Sequence, residues 1–174
     1  MQDLYKNTTV KFDNRIEYCY EGKLYKENCQ CYEDINGTKT YYQNGELHRD
    51  DGPAVEYKNG NKFWYQNGKL HRLDGPAGEM ENGDKFWCQN GKLHRKDGPA
   101  SEWANGNKYW WMNGEYHRED GPAVEYANGN KYWWMNGKLH REDGPAIEKA
   151  NGCKEWYIEG IKYTEEDYNF YQRP

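Results

Sequence analysis

Long hydrophobic runs are missing from this sequence. No apolar stretch approaches the ~18 residues that a membrane helix needs. The opening MQDLYKNTTVKFDNRIEYC has no apolar core of the kind that marks an export signal. The expectation is a soluble chain that engages no membrane and sits in the cytoplasm, or in a host's cytoplasm if the source is viral. Aliphatic side chains are scarce and the mean hydropathy is −1.39, so an ordinary two-layer core cannot be assembled. A basic surplus is missing too. The formal net charge of −5 disfavours nucleic acid as a partner, since a phosphate-backbone binder shows a basic surface. The five cysteines, Cys19, Cys29, Cys31, Cys88 and Cys153, follow no disulfide spacing and read as reduced thiols. Cys29-x-Cys31 with Cys19 matches no usual zinc-knuckle spacing. There is no Gly-rich phosphate loop between a strand and a helix, and no Gly-x-Ser-x-Gly elbow. Neither a cofactor, nor a metal, nor an enzyme activity is expected.

What the chain does hold is rings. Aromatics make up 17%, with eight Trp and seventeen Tyr, far more than a disordered chain carries. They recur in a phrase. Residues 132–148 read YWWMNGKLHREDGPAIE, and residues 109–125 read YWWMNGEYHREDGPAVE, 23 residues earlier. His48, His71, His94, His117 and His140 keep that spacing, each followed by Arg. Five of the six prolines lie in Asp-Gly-Pro triplets, the first being Asp51-Gly52-Pro53. Such a period defines a repeat array, and arrays need atypical ends that protect open sheet edges. Residues 1–17 read as an N-terminal cap strand and 18–40 as a degenerate repeat in which Tyr25 replaces His. Residues 41–155 are five 23-residue repeats. Residues 156–174 form a partial repeat and cap, where Thr164 followed by Asp167 predicts a helix N-cap.

Asn-Gly between alternating side chains is a strong hairpin signal. Taking both Asn59-Gly60 and Asn67-Gly68 as two-residue loops, Val55 faces Trp64, Trp64 faces His71 and Phe63 faces Arg72. One face then carries Val55, Tyr57, Lys62, Trp64 and His71. The other carries Ala54, Glu56, Phe63, Tyr65, Leu70 and Arg72. Residues 69–81 read as one long strand bent at Gly75-Pro76, with 61–66 as its short partner. Two strands per unit would advance the array by roughly 9–10 Å. The fold class is therefore all-β: an elongated, nearly single-layer antiparallel sheet of stacked hairpin repeats with a short C-terminal capping helix.

The aromatic before a Gly turn, the His a few residues on, the small-residue bend and the second Gly turn resemble the MORN repeat over about residues 18–163. The wording Trp-x-x-Asn-Gly-Lys-Leu-His-Arg-Glu-Asp-Gly-Pro-Ala resembles the variant in phage, giant-virus and bacterial proteins, and YYQNGELH resembles repeats of bacterial antitoxin-type relatives. The resemblance implies a β-hairpin array that binds partners, and it implies no particular reaction.

The His-Arg-x-Asp phrase offers two roles. It could form acid–base pairs or metal sites. Alternatively it is structural, with Asp capping the bend, Arg pairing with a carboxylate such as Glu56, and His packing on the indole it faces. Five equal copies favour the structural role, and histidines roughly 9–10 Å apart cannot share a zinc ion with ~2.0–2.3 Å bonds. A β-helix with one rung per unit would bring them to ~4.8 Å and reopen the question. Trp64, Trp87, Trp110 and Trp133, continued by Trp156, form an invariant column read as structural, with cation–π contact expected from Lys62, Lys85, Lys108 and Lys131. Other columns vary: Tyr57, Met80, Trp103 and Tyr126 in one, and Tyr65, Trp111 and Trp134 in another, extended by Met112 and Met135. Large varied rings and Met make protein contact surfaces. These residues are the candidate partner-binding set. With the resemblance, they point to a binding protein that inhibits or neutralises a protein partner, a bacterial or host effector, in the manner of an antitoxin, immunity factor or viral counter-defence protein. Alternatives are a nucleotide or sugar stacked on the aromatic stripe, or a self-associating structural rod.

Overall fold

The computed structural model describes residues 9–12, 15–18 and 29–171. Cys19, Tyr25 and the rest of the segment between Tyr18 and Cys29 lie outside the described residues. The described chain is mostly short antiparallel strands, with one helix, Glu165–Tyr171. It divides into two compact units: residues up to Asn82 with Cys88–Gly91, and Gly83–Trp87 with residues from Lys92 onward.

In the first unit the hydrogen-bonded ladder runs in sequence order through Thr9–Phe12, Arg15–Tyr18, Cys29–Asp34, Lys39–Gln43, Val55–Glu56, Lys62–Phe63 and Gly78–Glu79. The segment expected to be a single N-terminal strand is thus a hairpin. In the second unit the ladder runs from Lys85–Phe86 through Ser101–Glu102, Lys108–Tyr109, Val124–Glu125, Lys131–Tyr132, Ile147–Glu148 and Lys154–Ile158 to Ile161–Tyr163. Neither ladder closes on itself. The all-β hairpin-repeat fold with a C-terminal helix is what the sequence pattern specifies.

Two details differ from the sequence expectation. The stretch 69–81 is two short strands, Lys69–Leu70 and Gly78–Glu79, separated by the His71–Ala77 loop. Pro76 has no N–H for a ladder, and Arg72 folds into the loop, donating from Nη1 to the Pro76 carbonyl at 3.2 Å. The short partner splits as well. Lys62–Phe63 belongs to the ladder, while Tyr65–Gln66 pairs with Lys69–Leu70 in a separate tight hairpin. Trp64 sits at the junction, donating its N–H to Ala77 and accepting from the His71 N–H.

The second difference is one of register. At Asn67-Gly68 both residues have positive φ, 48° and 70°, as a type I′ turn requires, and Tyr65 faces Leu70 as expected. At Asn59-Gly60 only Gly60 does, at 94°. The loop there spans 57–61, closed by Tyr57 N–H to Asn61 O at 2.9 Å and Gly60 N–H to Tyr57 O at 2.9 Å. Val55 therefore faces Phe63 and Glu56 faces Lys62. A one-residue slip exchanges the faces of a strand. Val55, Phe63 and Tyr65 share one face, and Glu56 and Lys62 lie on the other.

The interior is thin. Ala54, Ala77, Ala100, Ala123 and Ala146, each following an Asp-Gly-Pro, are 0% exposed. No large side chain among the described residues is as fully buried, which is how so little aliphatic volume suffices. At the C-terminus Thr164 Oγ1 accepts the Asp167 N–H at 3.1 Å and donates to the Asp167 carboxylate at 2.8 Å, so the predicted cap is present.

Candidate functional site

One face of the sheet is invariant, and its chemistry is spent internally. Each repeat Arg lays its guanidinium on an aromatic ring eight residues earlier. Arg49 lies over Tyr41 and Arg72, Arg95, Arg118 and Arg141 lie over Trp64, Trp87, Trp110 and Trp133, all at 4.0–4.1 Å from the ring centres. The expected Lys partners are not the cations on these rings. Arg wins because its flat guanidinium stacks while its edge still donates. Arg118 donates from Nε to Asp120 at 2.8 Å and from Nη1 to Glu125 at 2.8 Å and the Pro122 carbonyl at 3.2 Å. The expected Arg49–Glu56 pair is present at 2.7 Å. The Arg118 guanidinium beside Asp120 holds that carboxyl below its usual range.

The histidines do not pack on the indole they face, because the Arg occupies that ring. Instead each receives a hydrogen bond from the next repeat's tight turn. The N–H of Asn67, Asn90, Asn113 and Asn136 donates to Nδ1 of His48, His71, His94 and His117 at 3.1–3.3 Å, and Glu159 N–H donates to His140 Nδ1 at 3.1 Å. In each pair the following Gly donates its N–H to the residue before that His, as Gly68 does to Leu47 O at 3.0 Å. The His-Arg-x-Asp phrase thus joins repeats. Among the described residues no group of three or more His, Cys, Asp or Glu is placed to share a metal ion. Cys88 is 4% exposed and burial pushes its thiol up to about 11, which is the opposite of an activated nucleophile.

The other face varies from repeat to repeat, and the register places both variable aromatic columns on it. In the second unit Trp103, 49% exposed, and Tyr126, 37% exposed, stand edge-on to Tyr109 with centroids 6.3 and 5.9 Å away. Tyr126 meets Tyr132 in the same way at 5.7 Å. Trp103 donates from Nε1 to the buried Ser101 hydroxyl at 2.9 Å, which fixes the indole's angle. Tyr109 also reaches Tyr116 at 6.3 Å, and Tyr116 stacks on Trp111 at 3.8 Å and approaches Trp134 at 5.5 Å. In the first unit Tyr57, 46% exposed, stands edge-on to Phe63 at 5.8 Å. Tyr65, Met80, Trp111, Met112, Trp134 and Met135 are half-buried. Burial raises the phenols of Tyr65, Tyr109 and Tyr116.

The candidate residues Trp103 and Tyr126 are therefore brought together, with Trp111 and Trp134 joined to them through rings the sequence reasoning did not select: Tyr109, Tyr116 and Tyr132. Their signal was available in the column Phe63, Phe86, Tyr109 and Tyr132. It was assigned to the opposite face from Tyr57 by the assumed two-residue loop. After Tyr132 the face changes character. Glu155 takes the next place in that column and binds Lys149 at 3.2 Å, Lys162 at 2.6 Å and the Tyr157 hydroxyl at 3.2 Å. These bonds, chiefly from Lys162, lower its carboxyl to about 2. The rings end at a charged border.

No protein-family model and no curated protein matches the chain. No helix among the described residues is long and apolar enough to cross a membrane.

Proposed function

We propose that this chain is a MORN-like repeat scaffold without enzymatic activity. Its varied aromatic face engages a protein partner in the cytoplasm and inhibits or neutralises it. The observation that supports this most is the division of labour between faces. The repeat positions that never change are consumed in Arg–ring stacks, ion pairs and inter-repeat hydrogen bonds. The positions that do change present contiguous rings, with Trp103 and Tyr126 partly open to solvent. Partly exposed Trp and Tyr surrounded by packed neighbours is the composition of binding hot spots. A bacterial or host effector is the partner class that the repeat wording favours.

The test is a tagged pull-down from cytosolic extract, with and without nuclease, using the wild type and a Trp103→Ala/Tyr126→Ala variant. One stoichiometric protein captured by the wild type, retained after nuclease and lost with the variant, supports the proposal. Capture that is lost on nuclease treatment, or that the variant retains, overturns it.

A further inference from the structure

We propose that the segment held on this aromatic face is a proline-rich stretch in the polyproline II conformation. It would lie across the strands, with one residue in three entering the slot between exposed rings of successive repeats. The proposal rests on the aromatic face being the docking surface and names what it takes.

The first argument is pitch. Each repeat contributes two strands to the ladder, as Ser101–Glu102 and Lys108–Tyr109 do before Val124–Glu125 begins the next. At ~4.8 Å per strand, equivalent side chains such as Trp103 and Tyr126 recur every ~9.6 Å. A polyproline II chain rises ~3.1 Å per residue and returns to the same side every three residues, or ~9.3 Å. An extended β-strand presents the same side every ~6.8 Å, out of step with the rings.

The second argument is shape. Trp103 and Tyr126 stand at 65° and 87° to the Tyr109 ring that lies between them. Two walls and a floor of aromatic carbon make a narrow slot, and a flat apolar prolyl ring fits such a space. Tyr126 and Tyr132, at 78°, begin a second slot one repeat on, and Tyr57 against Phe63 at 83° repeats the wall-and-floor geometry in the first unit. An α-helix, ~10–12 Å across, is too thick to enter and would touch only ring tips.

The third argument is hydrogen bonding. The ladder's own N–H and C=O groups are paired within the sheet, so a chain lying on the face cannot be joined by adding it as a strand. Polyproline II needs no such partners, because its carbonyls point outward and can accept from phenol hydroxyls. It also arrives already ordered, which reduces the entropy lost on binding.

The test uses the full chain and fluorescein-labelled peptides about four polyproline turns long: oligoproline, and a Gly/Ser peptide of equal length. Binding is read by fluorescence anisotropy and by intrinsic Trp emission. Oligoproline should bind at least ~10-fold more tightly than the Gly/Ser peptide, and Trp103→Ala should weaken it by ~10-fold or more. Tyr126→Phe keeps the wall and should retain binding, and Lys108→Ala on the opposite face should leave it unchanged. Near-UV circular dichroism confirms that each variant is folded. Equal binding of the two peptides, or oligoproline binding that survives Trp103→Ala in a folded protein, overturns the proposal. If oligoproline fails while protein capture still depends on Trp103 and Tyr126, the face is a docking surface with a different occupant. If capture is also indifferent to them, the docking surface itself is wrong.

Discussion

Arg118 rests 4.0 Å from the centre of the Trp110 ring and leaves no space for a side chain at Gly121. A Cβ there would fall 2.9 Å from the guanidinium carbon. Gly121 does not have positive φ, so glycine is needed for room and not for backbone freedom. Replacing Gly121 with Ala should force the guanidinium off its ring and partners and destabilise the protein by ~1–3 kcal/mol. Urea unfolding measures the loss. In an Arg118→Ala background the same substitution should cost far less, because the clash is gone. Equal costs in both backgrounds would contradict the stack.

The helix at the C-terminus is held by one hydroxyl. Tyr168, 4% exposed, accepts the Gly144 N–H at 2.9 Å and donates to the Arg141 carbonyl at 3.1 Å. Tyr168→Phe keeps the ring and strands both backbone groups, a loss of ~1–3 kcal/mol. Hydrogen exchange should show Gly144 and the helix opening more often, with repeats nearer the N-terminus unchanged.

Acid should act first on the border beside the rings. The Glu155 carboxyl is held at about 2 against an ordinary 4.5. Its ion pairs therefore contribute fully above about pH 4.5 and are lost as the pH falls toward 2. Glu155→Gln should lower the urea midpoint at neutral pH and lose less than wild type on acidification. A parallel acid limb in both proteins would refute the assignment.

Thiol reactivity should divide by burial. Cys153 is exposed, whereas Cys88 is buried with its thiol raised to about 11. Brief alkylation at mildly alkaline pH, read by peptide mass mapping, should mark Cys153 well before Cys88. Cys88 should become reactive only on denaturation. Early labelling of Cys88 would place it at the surface.

Much of this architecture was legible in the sequence. The period, the type I′ turn at Asn67-Gly68, the Arg49–Glu56 pair and the Thr164 cap all follow from local chemistry that neighbours do not override. The face assignment was not legible because the same dipeptide, Asn-Gly, closes two different turns. What separates them is the residue after the glycine. Asn61 donates its N–H to the Asn59 side chain at 3.1 Å, and its own amide oxygen accepts the Glu81 N–H of the next repeat at 2.8 Å. Lys69, after Gly68, simply begins a strand. The ring-stacking cation was also hidden. Lys62 neighbours Trp64 in the chain, but the contact comes from Arg72, brought back by the loop at Asp74-Gly75-Pro76. Trp103 and Tyr126 were recognisable as variable aromatics, whereas the floor formed by Tyr109 depends on a register that spacing alone does not determine.

The bonds from each tight turn to the His and Leu or Tyr of the repeat before it have a direction. Asn113 and Gly114 rely on His94 and Leu93, and Asn136 and Gly137 rely on His117 and Tyr116. Every acceptor is made before its donor as the chain is synthesised from the N-terminus. A ribosome releasing this protein one repeat at a time would always present the new turn with a finished seat, so assembly can keep pace with translation.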